Sequence, residues 1–89
     1  MKAVITVLGK DRVGIIAAVT AALAENQVNI LDISQTILRD YFTMIMLVEL
    51  LDEKLAIPEL SAILDEVGAR LRVQIRVQHE AVFTAMHRI

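Results

Sequence analysis

A chain of 89 residues with 56% hydrophobic residues, three aromatics and a formal net charge of −2 is bounded to one small domain with an aliphatic core. Its cations are scattered rather than gathered into a stripe, which excludes nucleic acid as an expected partner; the lack of cysteine removes disulfides and thiolate sites and fits a reducing compartment. The stretch before Gly9 is too short for a signal-peptide core and no apolar run reaches bilayer-spanning length, so a cytoplasmic location and no membrane partner are expected.

Residues 2–8, "KAVITVL", are rich in β-branched types and too short for a helix, and they predict a first strand ended by Gly9. From Val13 to Glu25 the helix formers place Ile15, Ile16, Val19, Ala22 and Leu23 at three- and four-residue spacings, the pattern of a helix buried along a broad face. Its other face is mostly alanine, with no charge between Arg12 and Glu25, so that side is thin or covered by something else.

A second strand is predicted over 28–39, with Leu31, Ile33 and Ile37 on one face and Asp32, Ser34 and Thr36 on the other. "RDY" reads as a tight turn into 41–50, "YFTMIMLVEL", which is apolar on both faces and therefore belongs inside a sheet. Pro58 suits the first turn of a second helix carrying Leu60, Ile63, Leu64, Val67 and Leu71 on one stripe, with Gly68 marking its exit. Residues 72–78, "RVQIRVQ", alternate cleanly, as in a strand wet on one side. The last stretch, 80–89, sets Val82, Phe83, Met86 and Ile89 at helical spacing, an amphipathic tail beyond the four-strand unit of residues 1–79.

The order βαββαβ with right-handed crossovers gives an α+β, ferredoxin-like fold: a four-stranded antiparallel sheet with both main helices on one face. Strands one and three are central in that topology, in agreement with their apolar faces. Ile45 and Leu47 then lie on the face away from the helices, and a second copy of the chain is the simplest cover for them. A homodimer is accordingly expected.

The stretch "GKDRVGI", residues 9–15, concentrates two glycines and three charges at the strand-to-helix junction. Gly14 permits close backbone approach there, and the first unpaired amides of the helix, at the positive end of its dipole, can hold a carboxylate without any side chain. Asp11 has a plainer reading as the helix N-cap, and Arg12 as a solvated charge. Asn29, at the start of strand two, can donate and accept; its plainer reading is a turn residue bonding its own backbone. His79 and His87 do not form a recognised ligand pair, no nucleophile–base arrangement stands out, and neither a cofactor nor a catalytic activity is expected.

Together, "GKDRVGI", the alanine-rich helix and "QVNILDISQT" resemble the ACT domain, the small-molecule regulatory module of amino-acid metabolism, over residues 2–79. The likeness is greatest to the small stand-alone ACT proteins of bacteria and archaea and to the glycine-cleavage repressor type. By position, the resemblance implies effector contacts at Asp11, Arg12, Val13, Gly14 and Ile15, largely through main chain, and at Asn29 and Ile30 of a neighbouring domain. It implies an amino acid or related metabolite as effector and a separate protein as output. A module that binds a partner protein and no small ligand is the alternative.

Overall fold

A computed structural model describes residues 1–86. The elements are β1 (Lys2–Lys10), α1 (Ile15–Glu25), β2 (Val28–Leu38), β3 (Tyr41–Leu50), α2 (Ile57–Leu71), β4 (Val73–His79) and α3 (Glu80–Met86). The sheet is antiparallel throughout, in the order β2-β3-β1-β4, so β1 and β3 are central as their sequences require.

One face of the sheet meets α1 and α2. Ala3, Ile5 and Val7 of β1, Phe42, Met44, Met46 and Val48 of β3, and Val73 and Ile75 of β4 form its buried layer. Ile15, Val19 and Leu23 of α1 and Leu60, Leu64 and Val67 of α2 close over them. At about 1.5–3 kcal/mol per fully buried aliphatic side chain, this layer is the main source of stability. Ile16 stays 39% exposed, so the buried stripe of α1 is narrower than its spacing suggests.

Four local details differ from the sequence-based expectations, the first being that β1 is not ended by Gly9 but pairs through it, with Phe42 and Val73, and on to Lys10. The helix begins at Ile15 rather than Val13, because Gly14 adopts φ +94° and ends the turn. Gly68 does not end α2; a Cβ there would lie 2.7 Å from the carbonyl oxygen of Val73, so this glycine lets the helix approach β4 closely. The exit is made by Arg72, left-handed at φ 58°, whose backbone N–H donates to the carbonyl of Gly68. In β2 the pairing shifts between Ile30 and Asp32, leaving Leu31 as an extra residue in a bulge, while Ile33 and Ile37 pair with Met46 and Phe42 on the helix side.

The sheet's opposite face is covered in part by the chain itself. The short helix α3 turns back directly from β4 and packs over β1 and β4, so that Val4 is buried and Leu47 half-buried without any second copy. Ile45 and Leu8 remain exposed there, at 41% and 46%. Of the expected tail stripe, Phe83 is half-buried and Val82 exposed; the Met86 side chain and Ile89 lie outside the described residues.

Candidate functional site

The junction between β1 and α1 is built by two glycines with different tasks. At Gly9 a Cβ would sit 2.6 Å from Val73 Cγ1 and 2.9 Å from its Cβ, so the residue allows β4 to run tightly beside the end of β1. At Gly14 an added Cβ would meet nothing within 4 Å; what the position requires is the positive φ. The backbone at Gly14 is thus open to approach from outside the chain.

Beyond Gly14 the amino terminus of α1 is bare. It has no side-chain cap and no acid in its first turn, so the amides that open the helix keep their donor capacity and the positive end of the dipole is uncompensated. Asp11 is not the N-cap: its backbone N–H donates to the carbonyl of Asp40 at 2.7 Å, which ties the loop to the β2–β3 turn. Arg12 reaches across to the end of α2, where one guanidinium nitrogen donates to the Leu71 carbonyl at 3.3 Å. Val13 is fully exposed, an apolar side chain held in solvent at the mouth of the junction.

Asn29 and Ile30 stand elsewhere. Asn29 pairs with Glu49 and Lys2 pairs with the same residue, whereas the loop follows Lys10, which pairs with Tyr41. Eight residues of strand separate the two levels, about 27 Å at 3.4 Å per residue. Within one chain, then, the structure gathers Asp11 to Ile15 at one end of the sheet and leaves Asn29 and Ile30 at the other. Asn29 is also not the local turn former. That task falls to Asn26, whose side-chain nitrogen donates to Ala22 O at 2.7 Å, and to Gln27 at φ 59°.

Residues that sequence spacing did not single out join the loop. Lys10 and Arg72, with Arg12 and Leu71, line a cleft of about 440 Å³ beside it. Arg72 is sixty positions from Arg12, and nothing in the local pattern links them; only the packing of α2 on β4 does. The same end of the molecule carries Arg39 and Arg70 against Asp11 and Asp40, while the other end carries Glu25, Glu49, Asp52, Glu53 and Glu59 against Lys2 and Lys54. The charge that is scattered in sequence is sorted end to end in space.

Strand β2 is an edge, and residues 31–38 are exposed along their whole length. Leu31, Ile33, Ile37 and Leu38 are 42 to 72% exposed on it, and the strand carries neither lysine nor proline to blunt its free backbone groups. Among the described residues no group of three or more His, Cys, Asp or Glu could hold a metal ion. His79 is engaged in starting α3, its Nδ1 accepting from the Ala81 amide at 3.1 Å; His87 lies outside the described residues. No helix among the described residues is long and apolar enough to cross a membrane.

Comparison with known proteins agrees with this architecture. A family model described as the ACT domain matches residues 2–78. A UPF0237 protein of Clostridium acetobutylicum is 53% identical over 89 residues, all of both chains. Among solved structures, an ACT domain protein from Streptococcus pneumoniae superposes with a TM-score of 0.83 at 47% identity, over 93% of each chain. The regulatory subunit of aspartate kinase from Thermus thermophilus, in a ligand-free form, gives a TM-score of 0.69 at 26% identity, over 86% of this chain and 50% of that one.

Proposed function

The chain belongs to the ACT-domain family, and on that premise we propose that it is a regulatory module binding an amino acid or related metabolite where its β1–α1 loop meets β2 of a second copy. The observation that carries this reading is the bare amino terminus of α1, with uncompensated donors and the exposed Val13 beside it. A carboxylate satisfies the amides, and the apolar part of a small metabolite rests on Val13.

The second copy is needed because one chain holds the two halves about 27 Å apart along the strands. Antiparallel pairing of the free β2 edge with its counterpart exchanges the ends of the strand. Asn29 and Ile30 of one copy then fall beside the other's Arg39–Asp40 turn, to which Asp11 ties the loop. The same operation sets the cationic end of one chain against the acidic end of the other, so electrostatics favours the antiparallel arrangement. It also covers the apolar side chains of β2 and satisfies a row of edge backbone groups.

The module performs no chemistry of its own in this reading, and its output passes to another protein. The test is a thermal-shift titration against the twenty amino acids and a set of keto acids, since a ligand at a hundred times its dissociation constant stabilises the native state by about 2.7 kcal/mol. A dose-dependent rise for one compound, lost in Val13→Glu with the fold intact, supports the site; Val13 is fully exposed, so the substitution disturbs no packing. No rise across the panel favours the alternative of a protein-interaction module, for which the exposed β2 edge is the docking surface.

A further inference from the structure

The sheet face away from α1 and α2 is ordered in rows that run across all four strands. One row is Asp32, Leu47, Val4 and Gln78, and α3 lies over it; the next is Ser34, Ile45, Thr6 and Arg76, and the third is Thr36, Thr43, Leu8 and Gln74. Between the second and third rows, the Phe83 wall of α3 and the free edge of β4 runs a cleft of about 880 Å³, within the range of small-molecule sites. Its floor is apolar, with Leu8 and Ile45 46% and 41% exposed. Its β4 side is polar, through Gln74 and Arg76, with the Thr6 hydroxyl between Arg76 and Ile45.

We propose that this cleft is a second small-molecule site, separate from the α1 junction, that takes a monocarboxylate with an apolar body. The charge complementarity is specific to the second row. Arg76 has no acidic partner among the described residues, so its guanidinium is available to a carboxylate in a bidentate pair. Thr6 offers a hydroxyl on the adjoining strand. The body of the ligand lies over Ile45 and Leu8 against Phe83, which removes exposed aliphatic surface from water. Asp65 of α2 lines the same cleft from the helix side of β4 and disfavours a second carboxylate there. Its floor of Thr6, Leu8 and Ile45 lies on the sheet face away from α1 and α2, and the cleft wraps round the free edge of β4 to Val73, Ile75 and Ala69 of α2.

The experiment is a ¹H–¹⁵N correlation titration of the full chain with 4-phenylbutyrate and, separately, with its neutral analogue 4-phenylbutanamide. Saturable shifts at Thr6, Leu8, Ile45 and Arg76, with the carboxylate at least tenfold tighter than the amide, are expected. Arg76→Gln should remove most of that difference while leaving the weak amide binding as it is; Arg76 is exposed, so the variant keeps the fold. Equal affinity of the two probes for the wild-type chain overturns the proposal without recourse to any variant. So do shifts confined to Asp11–Ile15 and Asn29, which put the carboxylate at the other site, or no shifts because a second copy occupies this face, seen as a dimer broken by Ile45→Lys.

Discussion

Replacing Gly9 and Gly14 separately distinguishes steric closeness from backbone conformation at the two ends of one loop. In Gly9→Ala the new methyl lies 2.6, 2.9 and 3.0 Å from Cγ1, Cβ and Cα of Val73. Rotation of the valine can relieve the first contact but not the other two, so β4 must move away from β1. Overpacking of this kind costs about 1–3 kcal/mol, and at about 4–8 °C per kcal/mol for a domain of this size the melting temperature falls by roughly 4–24 °C. In Gly14→Ala the methyl points into open space and the cost is the left-handed backbone alone, about 1–2 kcal/mol. Asparagine tolerates that conformation and can also cap the helix, so Gly14→Asn should recover at least half of the loss, whereas Gly9→Asn should be worse than Gly9→Ala. Thermal and urea unfolding followed by far-ultraviolet circular dichroism reads all four variants. A Gly9→Ala variant that melts within about 2 °C of the parent, or a Gly14→Asn variant no more stable than Gly14→Ala, refutes these two roles.

Met46→Ala should cost about 2–5 kcal/mol in urea unfolding, because Met46 is fully buried at the centre of the helix-side layer and leaves a cavity. Leu47→Glu, beneath α3, should speed proteolysis within residues 80–86 and lower the melting temperature while leaving the oligomeric mass unchanged, since the chain covers this position itself. Ile33→Lys with Ile37→Lys should convert a dimer to a monomer in size-exclusion chromatography with light scattering; an unchanged mass excludes pairing through β2. Glu59→Ala should destabilise α2 by about 0.5–2 kcal/mol, through loss of the 2.6 Å bond that its carboxylate accepts from the Ala56 amide.

Much of the fold follows from the spacing of apolar residues. The two-residue alternation of "RVQIRVQ" and the two-sided apolar character of "YFTMIMLVEL" place β4 at an edge and β3 inside, as observed. Pro58 opens α2 for the reason expected, its missing N–H being one that a first helical turn leaves unpaired. The start of α1 moves for a local reason, the positive φ of Gly14, but at two other positions a distant contact overrides the local pattern. Gly68 resembles a helix exit in sequence, and becomes a packing residue only because β4 returns beneath it. Leu31 fits a regular alternation until the pairing with β3 inserts it as a bulge.

The candidate site divides in the same way. The concentration of glycine and charge in "GKDRVGI" at a strand-to-helix junction is legible in the sequence, whereas the bare helix start, the positive φ of Gly14 and the exposure of Val13 are seen only once the helix is found to begin at Ile15. That Asn29 and Ile30 lie at the far end of the sheet, that Arg72 joins Arg12 and Lys10, and that Arg76 faces Ile45 across β1 are consequences of strand register. Local patterns repeat every two or 3.6 residues and carry no record of which strand lies beside which. Strand order and register emerge from closing the core as a whole, and only that closure decided which charges and apolar groups share a cleft.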